Sequence, residues 1–118
     1  MSISEPLYDR NGRVAAFILK RSRIVAPDGR SIAWVRGSSI YDYRGRHVAW
    51  WNEDHIRDHS GQLMYWLRGA STGLVHPIPQ IPPIPGIASV EPMKPIPSIP
   101  PMKPMRRLSW SQDRLPGL

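Results

Sequence analysis

Four copies of a short motif occupy the first 67 residues, and this repeat restricts the possible folds more than any other feature. Each copy centres on a glycine, and Gly12, Gly29, Gly45 and Gly61 follow one another at steps of 17, 16 and 16 residues. Asn, Asp and Gly accept the positive φ angles of tight hairpin turns, so Asn11-Gly12 and Asp28-Gly29 indicate two-residue turns. Alternating apolar residues flank every turn. The repeat therefore predicts four β-hairpins, or eight short antiparallel strands.

The second strand of every copy is apolar on both faces. One face carries an aromatic column, which consists of Phe17, Trp34, Trp50 and Trp66. The other face carries Ala16, Ala33, Ala49 and Tyr65, followed by Ile18, Val35, Trp51 and Leu67. A flat sheet with one solvated face would not have this pattern, whereas a sheet closed into a barrel has no unpaired edges. We therefore predict an all-β fold, a shallow flower-like barrel. The pattern leaves the inward face open, and we expect the aromatic column inside one end.

The repeat also resembles a known family. Leu7-x-Asp9-x-x-Gly12-Arg13 and Ile40-x-Asp42-x-x-Gly45-Arg46 are similar to the motif of the four-fold β-flower domain of small bacterial proteins. The resemblance covers residues 5–70 and a C-terminal Leu-Ser-Trp element at Leu108. It implies a pseudo-symmetric ring of hairpins with a Pro-rich tail, and it implies no activity, ligand or catalytic residue. The Tyr-Asp repeat of Rhs-type shell proteins is a competing resemblance, but those shells need many more units.

Composition limits what the 118 residues can build. A chain of this length forms one small domain, and the absence of Cys excludes a disulfide scaffold and thiolate-held metal sites. Eleven of the 14 prolines lie between Pro77 and Pro104. We therefore predict a four-hairpin domain at residues 5–70, a Pro-rich tail at 71–106 and a C-terminal element at 107–118.

Apolar residues recur at every third position of the tail. They are Val75, Ile78, Ile81, Ile84, Ile87, Val90, Met93, Ile96, Ile99, Met102, Met105 and Leu108. A polyproline II helix has three residues per turn, so it would place these residues in one stripe about 100 Å long at roughly 3.1 Å per residue. Such a length must bend or project, and Gly86–Ser89 is the expected bend.

The stripe favours docking over a solvated linker, because unbound apolar side chains gain nothing in water. The hairpin domain, a second copy of the tail and a foreign partner are all possible docking surfaces. We expect the stripe to bury the Trp-rich face of the domain, with Trp110 inserted beside its aromatic residues. Duplication of a short repeat with little packing is the alternative. Loose PxxP patterns such as Pro79-x-x-Pro82 fit recognition by aromatic grooves, but they are common in any Pro-rich segment.

Residues capable of catalysis or metal binding do not form a recognisable motif. His47, His55, His59 and His76 lack metal-ligand spacing on a helix, and we interpret them as surface or strand residues. Asp9, Asp42 and Asp58 precede turn glycines, where a carboxylate caps backbone amides; cation binding is the alternative. We predict no enzymatic activity, no cofactor and no metal.

The sequence favours a binding or assembly module that acts on a protein partner or on itself. The candidate binding residues are Phe17, Trp34, Trp50, Trp51, Trp66 and Trp110. The alternative is an anion-binding module, because the chain has a net charge of +7 and Arg13, Arg30 and Arg46 recur after the turns. Its ligand would be nucleic acid or acidic lipid. Residues Met1 to Pro6 show no signal peptide and no membrane span is visible, so we expect a cytoplasmic protein.

Overall fold

Eight antiparallel strands close into a barrel in sequence order, which confirms the all-β prediction. The computed structural model describes residues 4–118. Residues 1–3 belong to the segment for which no signal peptide is expected, and they lie outside the described residues. The strands are β1 (Ser4–Tyr8), β2 (Val14–Leu19), β3 (Arg23–Val25), β4 (Ser31–Arg36), β5 (Ser39–Tyr41), β6 (His47–Trp51), β7 (His55–Arg57) and β8 (Leu63–Trp66). Residues 4–118 contain no helix with the length and hydrophobicity that crossing a bilayer requires.

The four hairpin turns have the same local geometry. In each turn the glycine has φ between 77° and 95°, and its N–H donates to the carbonyl three residues earlier at 2.9–3.1 Å. Oδ1 of Asp9, Asp42 and Asp58 accepts two backbone N–H bonds of its own turn at 2.8–3.0 Å. These bonds confirm that the repeated carboxylates cap the turns. The second hairpin has Ala26 at this position, and there Asp28 accepts from the Arg30 amide instead.

Each hairpin also contains a register shift at the same place. The shifts fall at Leu7/Tyr8, Ile24/Val25, Ile40/Tyr41 and Ile56/Arg57. A β-bulge bends its strand and increases the local twist. One bulge per hairpin therefore provides the repeated curvature that closes eight short strands into a barrel.

The barrel interior is filled by aliphatic residues of the first strands facing small residues of the second strands. Leu7 pairs with Ala16, Ile24 with Ala33, Ile40 with Ala49 and Ile56 with Tyr65, and all eight side chains are buried. The three alanines leave room for the aliphatic residues near the axis. Tyr65 replaces the fourth alanine, and its hydroxyl accepts the Leu115 amide at 3.3 Å. Leu115 is itself part of the core, so the C-terminal residues complete the interior.

The expectation that the aromatic column lies inside the barrel is wrong. Phe17, Trp34, Trp50 and Trp66 are buried, but they alternate with the interior residues and lie outside the core cluster. They face outward and are covered by the C-terminal part of the chain. Successive residues of a strand point to opposite faces, and with both faces apolar the sequence pattern could not distinguish inside from outside.

Residues 75–110, here called the strap, run around the barrel and contact the four turns in order. The N–H groups of Gln80, Ser89, Ser98 and Arg107 donate to the carbonyls of Gly12, Gly29, Gly45 and Gly61, respectively, at 2.7–3.0 Å. The molecule measures 37 × 36 × 25 Å, and a disc of that diameter has a circumference of about 110 Å, similar to the roughly 100 Å of an extended three-residue helix of this length. Gly86–Ser89 is one of four equivalent contact points, so the bend predicted there is not a unique feature of the strap.

The strap approaches the turn glycines so closely that no side chain would fit. A Cβ at Gly12, Gly29, Gly45 or Gly61 would lie 2.0–2.7 Å from a strap carbonyl oxygen. Each glycine therefore serves two purposes, since it provides a positive φ and leaves space for the strap. Gly86 has a similar role within the strap, because a Cβ there would lie 2.6 Å from Asp28 of the second turn.

Alanine substitution should separate these two purposes of the turn glycines. Gly29→Ala would introduce a Cβ 2.0 Å from the carbonyl oxygen of Ile87, whereas Gly37 also has a positive φ of 61° but nothing within 4 Å. We expect Gly37→Ala to cost about 1–2 kcal/mol for the backbone conformation alone. Gly29→Ala should cost at least about 2 kcal/mol more. Urea unfolding measures both free energies, and equal values would show that the strap does not contribute to stability at this turn.

Candidate interaction surface

The stripe of the strap faces solvent along its whole length. Its twelve apolar residues, here called the apolar belt, are 75–96% exposed: Val75, Ile78, Ile81, Ile84, Ile87, Val90, Met93, Ile96, Ile99, Met102, Met105 and Leu108. The expectation that these residues bury the Trp-rich face of the domain is therefore wrong. The strap does cover that face, but it does so with its other residues. The result is an aliphatic belt around the rim of a disc-shaped molecule.

The exposure of the belt follows from which residues bond to the turns. Gln80, Ser89 and Ser98 each lie two residues after a belt residue, and their backbone amides point to the barrel. The Gln80 and Ser98 side chains also accept the N–H groups that begin β2 and β6, at 3.0 and 3.2 Å. In a helix with three residues per turn, a row that faces the barrel leaves another row facing away from it. The apolar residues occupy that outward row.

Three members of the aromatic column are covered by strap residues that lie nine or 18 positions apart. The His76 ring stacks on Trp66 with centroids 4.5 Å apart. Lys94 Nζ lies 5.5 Å from the centroid of Trp34, and Lys103 Nζ lies 5.9 Å from that of Trp50. These are cation–π distances, and the aliphatic parts of both lysines also shield the rings from water.

A nine-residue period in the strap escaped the sequence analysis. Four units begin at Pro77, Gly86, Pro95 and Pro104, and each unit meets one hairpin of the 16- or 17-residue repeat. The similarity of Pro77-Ile-Pro-Gln80 to Pro95-Ile-Pro-Ser98 was the available signal, but the stronger three-residue period obscured it. Gly86 replaces proline where the strap passes the turn that contains Pro27, and its N–H donates to the Pro27 carbonyl at 2.8 Å.

Arg57 connects the two ends of the strap circuit. It is 2% exposed, and its guanidinium donates to the carbonyls of Thr72, which precedes the strap, and Arg107, which lies near its end, both at 2.8 Å. It also donates to the Gly61 carbonyl and to Nε2 of His55. Burial lowers the pKa of Arg57 from its usual value. The sequence repeat gives no sign of this role, because Tyr8, Val25 and Tyr41 occupy the equivalent positions of the other hairpins.

The two other predicted binding residues, Trp51 and Trp110, lie in different environments. Trp51 is inside the barrel, whereas Trp110 is half-buried, pairs with Leu63 through a parallel bridge and lies 6.2 Å from the His76 ring. Trp110 therefore contacts the His76 ring, which itself stacks on Trp66, and the expected insertion of Trp110 beside the aromatic column stays a prediction. Strap residues of the same chain cover Trp34, Trp50 and Trp66 of the aromatic column. A role of these residues in binding a partner stays a prediction.

The arginine column is partly neutralised by carboxylates. Arg30 forms an ion pair with Asp28, and Arg46 forms one with Asp42, each with an N–O distance of 2.9 Å. Arg13 is exposed, and all three arginines lie next to turns. Fewer of the basic residues in the strap are paired with a carboxylate than in the arginine column. The strap contains Lys94, Lys103, Arg106 and Arg107 but a single acidic residue, Glu91, which accepts a hydrogen bond from Tyr43 and faces Lys94 at 4.0 Å.

Three histidines are held in environments that disfavour their charged form. Burial lowers the pKa values of His47, His55 and His76, and that of His47 falls to about 4. His47 Nδ1 lies 2.9 Å from Nε2 of His59, and the nearby charge of His59 lowers the His47 pKa further.

Stability should consequently fall as the pH decreases from about 6.5 to about 4. The unfolded chain takes up protons with the ordinary histidine pKa of 6.5, whereas folded His47 remains neutral down to about 4. His47→Ser places the residue of the equivalent position in the second hairpin, Ser31, and should flatten this decline without removing it, since His55 and His76 contribute in the same direction. Urea unfolding between pH 4 and pH 7 measures the slope; equal slopes for the two proteins would refute the assignment.

A family comparison agrees with this architecture. The model of the family described as 4-fold beta flower protein matches residues 5–117, which include the hairpins, the strap and the C-terminal residues that enter the core. Searches of curated proteins and of solved structures find no significant match. A family match over nearly the whole length, together with four equivalent hairpins in one closed barrel, shows that the chain belongs to the 4-fold beta flower family.

Proposed function

We propose that the protein is a non-enzymatic binding module and that the apolar belt is its interaction surface. The observation that carries the proposal is the exposure of twelve aliphatic side chains, each by at least 75%, in one uninterrupted series. The strap that presents them is bonded to all four turns, so the belt is held on a folded scaffold. A surface that is ordered before binding loses less conformational entropy when a partner covers it.

The amount of apolar surface in the belt favours binding of another molecule that covers it. Full burial of one aliphatic side chain contributes about 1.5–3 kcal/mol, so covering all twelve would contribute about 18–36 kcal/mol. Association costs an estimated 4–15 kcal/mol, and covering part of the belt is enough to offset it. Contiguous exposed apolar patches of this kind mark interaction sites in soluble proteins.

The polar groups support binding better than catalysis. The turn carboxylates are bonded to backbone amides, and Arg57 is bonded to carbonyls and to His55, so these groups are engaged in holding the fold. A cleft of about 440 Å³ lies beside Asp9, Tyr65 and Arg114, but the Asp9 Oδ1 there is bound by two turn amides. The alternative, anion binding by the arginine column, is weakened by the ion pairs of Arg30 and Arg46.

Serine substitutions in the belt should separate binding from stability. Ile81, Ile84, Ile96 and Ile99 are 89–95% exposed. We expect the variant Ile81→Ser, Ile84→Ser, Ile96→Ser, Ile99→Ser to lose less than about 2 kcal/mol of unfolding free energy, because exposed substitutions each change it by about 0.5 kcal/mol or less. The same variant should be released from a phenyl resin at higher salt than the original chain, because it buries less apolar surface on the resin.

A matched control uses exposed residues outside the belt. The double variant Arg36→Ser, Arg44→Ser should keep the resin retention of the original chain. If the serine variant of the belt is retained as strongly as the original chain, the belt is not the interaction surface. If it unfolds, the exposed side chains are instead part of the folded core.

A further inference from the structure

We infer that the occupant of the apolar belt is the surface of an anionic lipid bilayer, into which belt side chains insert between the acyl chains. The inference rests on the proposed function, because it names a partner for the same surface. Three features of the described residues support it: the charges within the strap, the side-chain types of the belt and the shape of the rim.

The charges of the strap are complementary to an anionic surface. Arg106 and Arg107 are exposed between Met105 and Leu108, and Lys94 and Lys103 are also exposed although they lie beside the Trp34 and Trp50 rings. Glu91 is the one acidic residue between Val75 and Leu108, and it is engaged by Tyr43 and Lys94. Aliphatic side chains flanked by basic residues bind anionic membrane surfaces through apolar burial combined with attraction to the headgroups.

The side-chain types of the belt fit hydrocarbon better than a protein surface. The belt contains only Ile, Val, Met and Leu, while the aromatic column and Trp51 are buried under the strap or inside the barrel. Protein–protein interfaces derive most of their affinity from Trp, Tyr and Arg anchors that fill pockets, and Leu and Val are under-represented among them. Inserting aliphatic side chains into acyl chains needs no such pockets.

The shape and charge of the rim disfavour a second copy as the occupant. The belt follows the convex edge of a molecule 37 × 36 × 25 Å in size, so two copies would touch over a short arc and leave most of each belt in water. Two chains of net charge +7 would also bring the basic residues of both straps together. A bilayer surface also meets the rim over an arc, but its acyl chains can close around each inserted side chain, and its anionic headgroups neutralise the charge.

Vesicle co-sedimentation with the full chain tests the inference. The probes are vesicles of phosphatidylcholine alone and of phosphatidylcholine mixed with phosphatidylglycerol, each at low and high salt. We expect binding to the mixed vesicles that weakens as salt rises. Ile78→Ser, Ile81→Ser, Ile84→Ser should reduce the partition coefficient roughly tenfold or more. Arg106→Gln, Arg107→Gln should reduce it by about fivefold for each arginine, and Arg36→Ser, Arg44→Ser serves as the control.

The possible results distinguish this inference from the proposed function. Loss of binding in both the serine and the glutamine variants supports the inference, provided that the control variant, which lacks the same number of charges as the glutamine variant, binds more strongly than both. Vesicle binding that the serine variant retains in full overturns it, because charge alone would then suffice. Absence of vesicle binding also overturns it, but belt-dependent retention on phenyl resin or self-association would leave the proposed function intact. If the belt substitutions alter none of these measurements, both proposals fail.

Discussion

The hydrogen bond between a turn-glycine carbonyl and a strap amide is the interaction on which the rest of the structure depends. It occurs once at each of the four hairpins, at 2.7–3.0 Å. It requires a glycine in the turn, because a Cβ there would overlap the strap. It also requires that the strap advance nine residues while the barrel advances by one hairpin. Two different repeats, one of 16 or 17 residues and one of nine, therefore have to match around a single circumference.

This mode of attachment explains why the same strap both buries and exposes apolar groups. Its barrel-facing residues shield Trp34, Trp50 and Trp66, which would otherwise lie in water on the outside of a small barrel. Because the amides and polar side chains of the strap are used for attachment, its aliphatic row faces outward. The domain gains a covered outer layer without disulfides, since the chain contains no Cys, and it acquires a continuous apolar rim. The function we propose follows from that orientation.

Departures from the four-fold pattern occur at positions that contact the strap or the C-terminal residues. The strap begins and ends at the fourth hairpin. In that hairpin Arg57 replaces the Tyr or Val of the other hairpins, and it bonds to the chain at both ends of the strap. The turn with Pro27 meets Gly86 where the other units have proline. Tyr65 replaces alanine where the C-terminal Leu115 enters the barrel. Each exception pairs a change in the hairpins with a change elsewhere, so the two repeats depend on each other.

The sequence by itself determined the hairpins, their number and their closure. Turn chemistry at Asn11-Gly12 and Asp28-Gly29 is local, and apolar residues on both strand faces require a fold in which both faces are covered. The Asp caps of the turns could be predicted because turn chemistry is local. Only the tertiary structure decided which face is inside and which row of the strap faces out. A period of two with two apolar faces is symmetric between inside and outside, and a period of three does not specify which row meets the barrel. That choice depends on backbone hydrogen bonds to distant turns, such as Ser98 to Gly45, and backbone amides leave no trace in side-chain hydropathy.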